Sequence, residues 1–485
     1  GALPFLVAAA ASLIIPATAL VGHRLAAKNA LLPAALGLGL GAYHAFIFER
    51  AYPGLHLFAS WMAALLLAAG LTRAPRPRLP PGLARVAPGV LSLCAAAALV
   101  VEVPARVLIE MYRVPSSSLA PFLAKLRDRS PVGRVDGAWF QDRRGLPPTP
   151  PTEPPLHERP PIVLLLTVDA IRADLLSDEK YRAALPTLFR MRDEGVWFTQ
   201  ARAPSPATVP SLSAIFTGRF YSQLYWSEQT GGGRQKLYPH EDPPPRFQAL
   251  LGEAGADTVL VMSGTGFLPK YGMTTDFRET LDKGSPVGLP AKTLTDHILA
   301  RLASQRDSDQ PMFVYTHYFE PHAPYDRAGK QGSPFERYLR EVAIVDGELA
   351  RIREQLEQAG MAERTLLIVT GDHGEAFGEH GTHDHAVSLY DELTHVPLVF
   401  WGARLGAGRV DQLVSLADLG PTILDLNRLP TPSSFLGQSL VPLLRGDDVV
   451  LERPVVSESG RHVEAMYFPD GYKLIGDRRL GTREL

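Results

Sequence analysis

Residues able to do chemistry gather in four short stretches of this chain. "VDAIRAD" carries Asp169 and Asp174. "EPHAPY" carries Glu320 and His322, close behind His317. "GDHGEAFGEHGTHDH" carries Asp372, His373, Glu375, Glu379, His380, His383 and His385. "SPATVPSLSAIFTG", residues 205–218, crowds the hydroxyls of Ser205, Thr208 and Ser211 around Pro210. Carboxylates with imidazoles suit a divalent metal: oxygen ligands for Mg, Mn or Ca, with imidazole favouring Mn or Zn. The hydroxyls have two readings. Ser and Thr cap helices and Pro suits a first helical turn; alternatively, one hydroxyl is a nucleophile held over the positive end of a helix. Each stretch also has an ordinary reading. Asp after a strand often caps a helix, Asp-His-Gly often makes a turn, and a histidine among prolines is often a loop residue.

The elements that must position these groups are legible from residue 161 onward. Apolar runs at 161–168, 258–262, 311–318, 364–370 and 396–401 have strand length. Helix-like stretches at 186–195, 245–255, 292–304 and 336–360 alternate with them. Buried strands alternating with amphipathic helices predict an α/β domain with a mostly parallel sheet flanked by helices. Such sheets keep their sites beyond the carboxyl ends of the strands. Asp169, Asp372, His373, His317 and His322 all stand there.

The front of the chain is different. Apolar runs at about 3–21, 30–48, 55–71 and 87–101 contain no Asp, Glu, Lys or Arg. They read as a transmembrane helical bundle of about four spans, residues 1–103. Arg24 and Lys28 lie in one loop, and Arg73, Arg76, Arg78 and Arg85 in another. Both loops fall on one side of a four-span topology, the cytoplasmic one, so everything after about residue 103 is expected outside, periplasmic or extracellular. That topology also puts Gly1 outside, which a further upstream span would explain. Residues 104–160 read as interfacial helices and a Pro-rich spacer, 161–444 as the catalytic domain, and 445–485 as a small C-terminal subdomain. Across 485 residues the formal net charge is -2, which excludes nucleic acid as an expected partner. The single cysteine, Cys94, lies in the fourth apolar run, so no disulfide framework, Cys metal site or soluble catalytic thiol is expected.

The motifs "IVLLLTVDAIRADLL", "TVPSLSAIFTGR", "EPHAPY", "VTGDHGEAFGEHG" and "HAVSLYDELTHVPLVFWG" occur in that order over 161–444. This part of the chain resembles the sulfatase-like branch of the alkaline phosphatase superfamily. Behind a membrane-spanning front end, it looks like lipoteichoic acid synthases and phosphoethanolamine transferases. The resemblance implies an alkaline-phosphatase-like fold. It puts the nucleophile at Thr208, metal ligands at Asp169, Asp372 and His373, and groups that contact the transferred moiety at His322 and His385. It also implies one divalent ion (Mn, Mg, Ca or Zn). His317, His322, His383 and His385 are enough imidazoles for a second zinc, although no Asp-x-x-x-His pair is visible. His317 and His383 are expected behind the ligands.

Departures from the family pattern bear on the chemistry. Sulfatases that resemble this chain carry Cys or Ser, converted to formylglycine, where Thr208 stands. Their Arg position holds Leu212, a second Asp is replaced by Val168, and a Gly-Lys-Trp-His segment has no counterpart. The leading expectation is a metal-dependent phosphotransferase or phosphodiesterase, attached to the lipid bilayer and acting on a phospholipid or surface glycan through Thr208. Two alternatives stand beside it: a sulfuric ester hydrolase without formylglycine, and an inactive domain that binds a surface polymer.

Overall fold

The computed structural model describes residue 143 and residues 145–485, apart from 232–233, 263–268, 282–287, 387, 452, 461 and 479–481. The four apolar runs and the interfacial segment lie outside the described residues. Among the described residues, no helix is long and apolar enough to cross a membrane. The elements below belong to one compact unit.

Eight strands make the main sheet: β1 (Ile162–Val168), β2 (Val196–Arg202), β3 (Asp257–Val261), β4 (Glu279–Thr280), β5 (Met312–Tyr318), β6 (Thr365–Gly371), β7 (Leu398–Gly402) and β8 (Gly408–Ser415). Their order is β8-β2-β7-β6-β1-β5-β3-β4. β1 pairs in parallel with both β5 and β6. Only β7 runs antiparallel, against β2 and β6. The mostly parallel α/β sheet expected from the sequence is therefore present.

β1 shows why the sheet is buried on both faces. All seven of its residues are buried, and successive side chains point to opposite faces. Val163 and Leu165 join one core with Leu212, Ile215, Phe247 and Ile423. Ile162, Leu164, Leu166 and Val168 join the other with Leu188, Ile298, Val345 and Leu349. Helices α1 (Pro186–Glu194), α2 (Thr208–Thr217), α3 (Phe247–Glu253), α4 (Ala291–Ser304), α5 (Pro334–Gln358) and α6 (Leu419–Leu426) supply those layers. α2, α3 and α6 cover the first face, and α1, α4 and α5 the second. α5 starts at a capping box: Glu336 N donates to Ser333 Oγ at 3.2 Å, and Ser333 N donates to Glu336 Oε2 at 2.7 Å.

Part of the Pro-rich segment lies along this domain and is not a free spacer. Thr149 and Thr431 exchange backbone hydrogen bonds of 2.8 and 2.9 Å. The Thr152 amide donates to Asp425 Oδ1 at 2.8 Å, at the end of α6. At the other end of the chain, β9 (Val455–Ser459), β10 (Val463–Tyr467) and β11 (Lys473–Asp477) form an antiparallel sheet. β9 braces the loop between β2 and α2: Glu458 N donates to Pro204 O at 2.8 Å, and Ser457 Oγ donates to Ala203 O.

Candidate metal and nucleophile centre

Asp169 and Asp372 directly follow β1 and β6, two neighbouring parallel strands, so their side chains leave the sheet at adjacent points. Asp169, Asp372 and His373 are fully buried, and their ligand atoms lie within 4.8 Å of one another. His373 Nε2 stands 3.8 Å from Asp169 Oδ1 and 3.5 Å from Asp372 Oδ2. Thr208 Oγ1 lies 3.0 Å from the same nitrogen. The residues expected to hold a metal and the expected nucleophile therefore meet at one point.

The backbone around this point is unusually constrained. Ala170 adopts a left-handed conformation, φ 57°, which costs a residue with a Cβ about 1–2 kcal/mol. That turn aims the Ala170 amide at Asp372 Oδ1, at 3.2 Å. Tyr338 of α5 holds the turn from behind: its hydroxyl donates to Ala170 O and accepts from the Arg172 amide, both at 3.0 Å. Gly374 must be glycine, because a Cβ there would sit 2.0 Å from Glu392 O.

Each ligand is fixed by a bond on its outer side. Asp372 Oδ1 also accepts from the His373 amide at 2.9 Å. His373 Nδ1 donates to Gly374 O at 2.8 Å, which assigns the lone pair to Nε2. Asp169 Oδ2 takes the Nε2 proton of His317 at 3.2 Å, and His317 Nδ1 is met by Thr167 Oγ1 at 2.8 Å. Burial alone would raise the Asp169 pKa. The hydrogen bond from His317 and the His317 charge beside it outweigh burial and hold Asp169 well below the usual carboxylate range. Burial pulls His317 down, but Asp169 and Asp372 more than compensate and raise it.

The inner atoms are left over. Asp169 Oδ1 and Asp372 Oδ2 are buried and have no hydrogen-bond partner among the described residues. Two orphaned carboxylate oxygens are costly to bury, and a cation between them removes the cost. The donor set of two carboxylates, one imidazole nitrogen and a hydroxyl fits a divalent metal.

Thr208 is the first residue of α2, and Ala207 is its N-cap with no side-chain cap bond. The hydroxyls of this stretch are therefore not caps. Ser211 Oγ donates to Asp372 O at 2.5 Å, Ser213 Oγ donates to Val209 O at 2.7 Å, and Thr208 faces His373. Thr208 is half-buried at the positive end of a ten-residue helix.

His385 and His322 lie beside the centre. The His385 ring is 4.6 Å from that of His373 and 5.3 Å from that of His322. His385 Nδ1 donates to Glu375 Oε1 at 3.3 Å, and Tyr325 OH donates to Glu375 Oε2 at 2.7 Å. Burial opposes protonation of His385, but Glu375, Asp169 and Asp384 prevail and push its pKa up to about 9. His322 Nδ1 donates to Ala323 O at 2.8 Å, leaving Nε2 as its acceptor.

The remaining acidic and imidazole residues serve the framework. Asp174 and Glu379 both pair with Arg172. Glu320 accepts from the Ala291 amide and from Arg327. His380 stacks on Tyr390 at 3.8 Å and bonds Glu392. His317 bonds Asp169 and His383 is exposed, while Glu375, Asp384 and His385 form a second group whose ligand atoms lie within 4.8 Å of one another. Tyr325, Tyr338 and Thr167 were not anticipated. Tyr325 closes the "EPHAPY" stretch and Thr167 lies in "IVLLLTVDAIRADLL", whereas Tyr338 belongs to no motif.

An alkaline-phosphatase-like α/β sheet with an acid–imidazole centre beyond its central strands defines the class. The Sulfatase family model matches residues 161–428, just over half of the chain, and the chain belongs to that family. Arylsulfatase K of Xenopus laevis is 37% identical over 108 residues, covering 22% of this chain and 20% of that protein. The uncharacterized sulfatase YdeN of Escherichia coli is 25% identical over 326 residues, covering 55% of this chain and 58% of that protein. The chain thus spans from a fifth to under three-fifths of these curated relatives. Among solved structures, Ps i-CgsB in complex with k-i-k-neocarrahexaose superposes with a TM-score of 0.54 at 16% identity, covering 66% of this chain and 84% of that one. The lipoteichoic acid synthase LtaP of Listeria monocytogenes gives 0.51 at 14% identity, covering 67% and 87%. Both share the fold.

Proposed function

We propose that this chain is a metal-dependent esterase or transferase of phosphate esters, with Thr208 as nucleophile. The observation that carries the reading is the 3.0 Å approach of Thr208 Oγ1 to His373 Nε2, a nitrogen that clusters with the carboxylates of Asp169 and Asp372. Those three residues would hold one divalent cation, which supplies Lewis acidity and favours the ionised hydroxyl. The chain's own groups do the rest. The amides at the start of α2 favour negative charge at Thr208. Thr208 Oγ forms the bond to phosphorus as the bond to the leaving oxygen breaks in line. His385, held as a cation by Glu375, binds the transferred group's oxygens or protonates the leaving oxygen. His322 Nε2 then takes the proton of the water or acceptor hydroxyl that releases the group from Thr208.

The proposed setting is a membrane-attached enzyme with its catalytic domain outside the cytoplasm, acting on a lipid headgroup or surface glycan. The four apolar runs ahead of residue 103 support it. A second reading, sulfate ester hydrolysis, is favoured by the names of the curated relatives. Turnover of aryl phosphate diesters against aryl sulfates, with Thr208→Ala as control, separates the two. Phosphate turnover abolished by Thr208→Ala supports the first reading. Sulfate turnover alone supports the second. Turnover insensitive to Thr208 overturns both.

A further inference from the structure

Three polar side chains cross the otherwise apolar layer between the main sheet and α2. β1 has one polar residue, Thr167. It pairs directly with His317 of β5, and Tyr315 stands two residues back on the same face of β5. All three are completely buried. Tyr315 OH lies 2.9 Å from Thr167 Oγ1, which lies 2.8 Å from His317 Nδ1. His317 Nε2 then meets Asp169 Oδ2 at 3.2 Å. A line of hydrogen bonds therefore runs from the core to a carboxylate expected to hold a metal. Its inner end is fixed as well: the Tyr315 ring stands edge-on, at 4.9 Å, to Phe216 of α2, the helix that begins with Thr208.

The two hydroxyls are suited to holding an imidazole whatever its proton count. Each has one O–H to donate and lone pairs to accept with. When Nδ1 has a lone pair, Thr167 donates to it and Tyr315 donates to Thr167. When Nδ1 carries a proton, Thr167 accepts it and donates onward, to Tyr315 or to Thr316 O at 3.2 Å. Burial pushes the Tyr315 phenol well above its ordinary range, so it stays a neutral hydroxyl. The ring is thus gripped at both nitrogens in either state, with Phe319 edge-on to it at 5.1 Å. The grip matters at Asp169. His317 fixes Oδ2, while Oδ1, bare among the described residues, stands 3.8 Å from His373 Nε2. A buried polar line is costly unless every member is satisfied. A Val at 167 and a Phe at 315 would fill nearly the same volumes without that demand, so packing alone does not call for the hydroxyls.

We propose that Thr167 and Tyr315 are positioning residues for the centre: acting through His317, they hold Asp169 with one oxygen turned to the cation. This rests on the reading that Asp169, Asp372 and His373 bind that cation. The test measures the Mn²⁺ dissociation constant of the full chain, freed of metal, by competition with a chromogenic chelator. Thr167→Val keeps the shape and removes the hydroxyl. It should weaken Mn²⁺ binding about tenfold, as loss of an outer hydrogen bond does at a metal site. Thr167→Ser should restore the affinity to within about twofold of the parent. Tyr315→Phe keeps the ring against Phe216 and should weaken binding about threefold, but add nothing in the Thr167→Val background, because the two act as one unit. Leu164→Ala, on the opposite face of β1, should lower the urea midpoint and leave the Mn²⁺ constant unchanged, which separates positioning from stability. Unchanged Mn²⁺ affinity in Thr167→Val overturns the proposal, as does equal weakening by Leu164→Ala. Tyr315→Phe with no effect, or with an effect that adds to that of Thr167→Val, overturns the role of Tyr315. Asp169→Asn keeps the two readings apart. If it binds Mn²⁺ as the parent does, the cation reading fails and this inference with it. If it loses Mn²⁺ while Thr167→Val and Tyr315→Phe do not, only the positioning fails.

Discussion

Replacing Asp372 by Asn should make the metal-free protein more stable and the metal-loaded protein less so. In the structure, Asp169 and Asp372 present inner oxygens that lie within 4.8 Å and lack hydrogen-bond partners among the described residues. Two unit charges at that separation repel by about 3 kcal/mol at an effective dielectric of 20. The His317 hydrogen bond on the far side of Asp169 offsets part of this. Asn keeps an oxygen for the Ala170 and His373 amides, now served by Asp372 Oδ1. Its amide group takes the place of Oδ2 and can donate toward Asp169. The chelated variant should therefore gain about 1–3 kcal/mol, once partial compensation is allowed for. The parent, in turn, should gain about 2.7 kcal/mol from a metal at one hundred times its dissociation constant. The variant has lost an anionic ligand and should gain far less. Urea unfolding of the full chain, followed by tryptophan fluorescence in EDTA and in Mn²⁺, reads both effects without any substrate. The lead of the variant in EDTA should shrink or reverse in Mn²⁺. If Asp372→Asn is the less stable protein in EDTA and responds to Mn²⁺ as the parent does, the paired carboxylates are not a cation site.

Other outcomes follow from the same geometry. Thr208→Ala should lower turnover by about 10³-fold or more, as loss of a nucleophile does, while keeping most of the Mn²⁺ stabilisation, because three donors remain; metal titration and steady-state rates check both halves. His317→Gln should weaken metal binding by about 10–100-fold, because His317 orients Asp169 Oδ2; a competition titration with a chromogenic chelator measures it. Tyr338→Phe should cost about 1–3 kcal/mol, since it leaves the buried Ala170 carbonyl and Arg172 amide without their shared hydroxyl; urea midpoints give the number. His395 is held down to about 4 by burial and by the Arg202 charge. It is neutral when folded and takes up a proton on unfolding below its ordinary value, so its contribution is complete above pH 6.5 and drains away as pH falls toward 4. The loss should reach about 3 kcal/mol, and stability measured between pH 7 and 4 should fall less steeply in His395→Gln.

The strands that carry the centre were readable because they are continuously apolar. β1, β5 and β6 are buried along their whole length, and each ends within a residue or so of where its hydrophobic run ends. β2 and β8 escaped because "VWFTQAR" and "GRVDQLVS" mix charge and amide into the pattern; β8 is an edge strand with a largely solvent-facing start. Asp169, Asp372 and His373 were legible because they directly follow strands. Thr208 was not decidable from its own neighbourhood. Three hydroxyls compete there for the role of cap, and the partner Thr208 meets instead, His373, lies 165 residues away. Ala170 and Tyr338 were invisible for the same reason, since the left-handed turn and its clamp exist only once β1 and α5 have packed.

The division of polar atoms at the centre is itself an argument for function. On Asp169, Asp372 and His373, every outward atom is bound: one by His317, one by the Ala170 and His373 amides, one by the Gly374 carbonyl. Every inward atom is without a conventional partner except His373 Nε2, and that one meets Thr208. A cluster that merely tolerated burial would spend its oxygens on whatever donors were near, because each unpaired one is costly. Here the donors are placed on one side only, and two of the outer restraints are backbone groups that substitution cannot remove. Stability alone gives no reason to pay for a strained Ala170 in order to satisfy one oxygen of Asp372 while leaving its twin bare. A site built to receive a cation and hold a hydroxyl against it requires that asymmetry, since a ligand locked from behind and empty in front needs no rearrangement when the charge arrives.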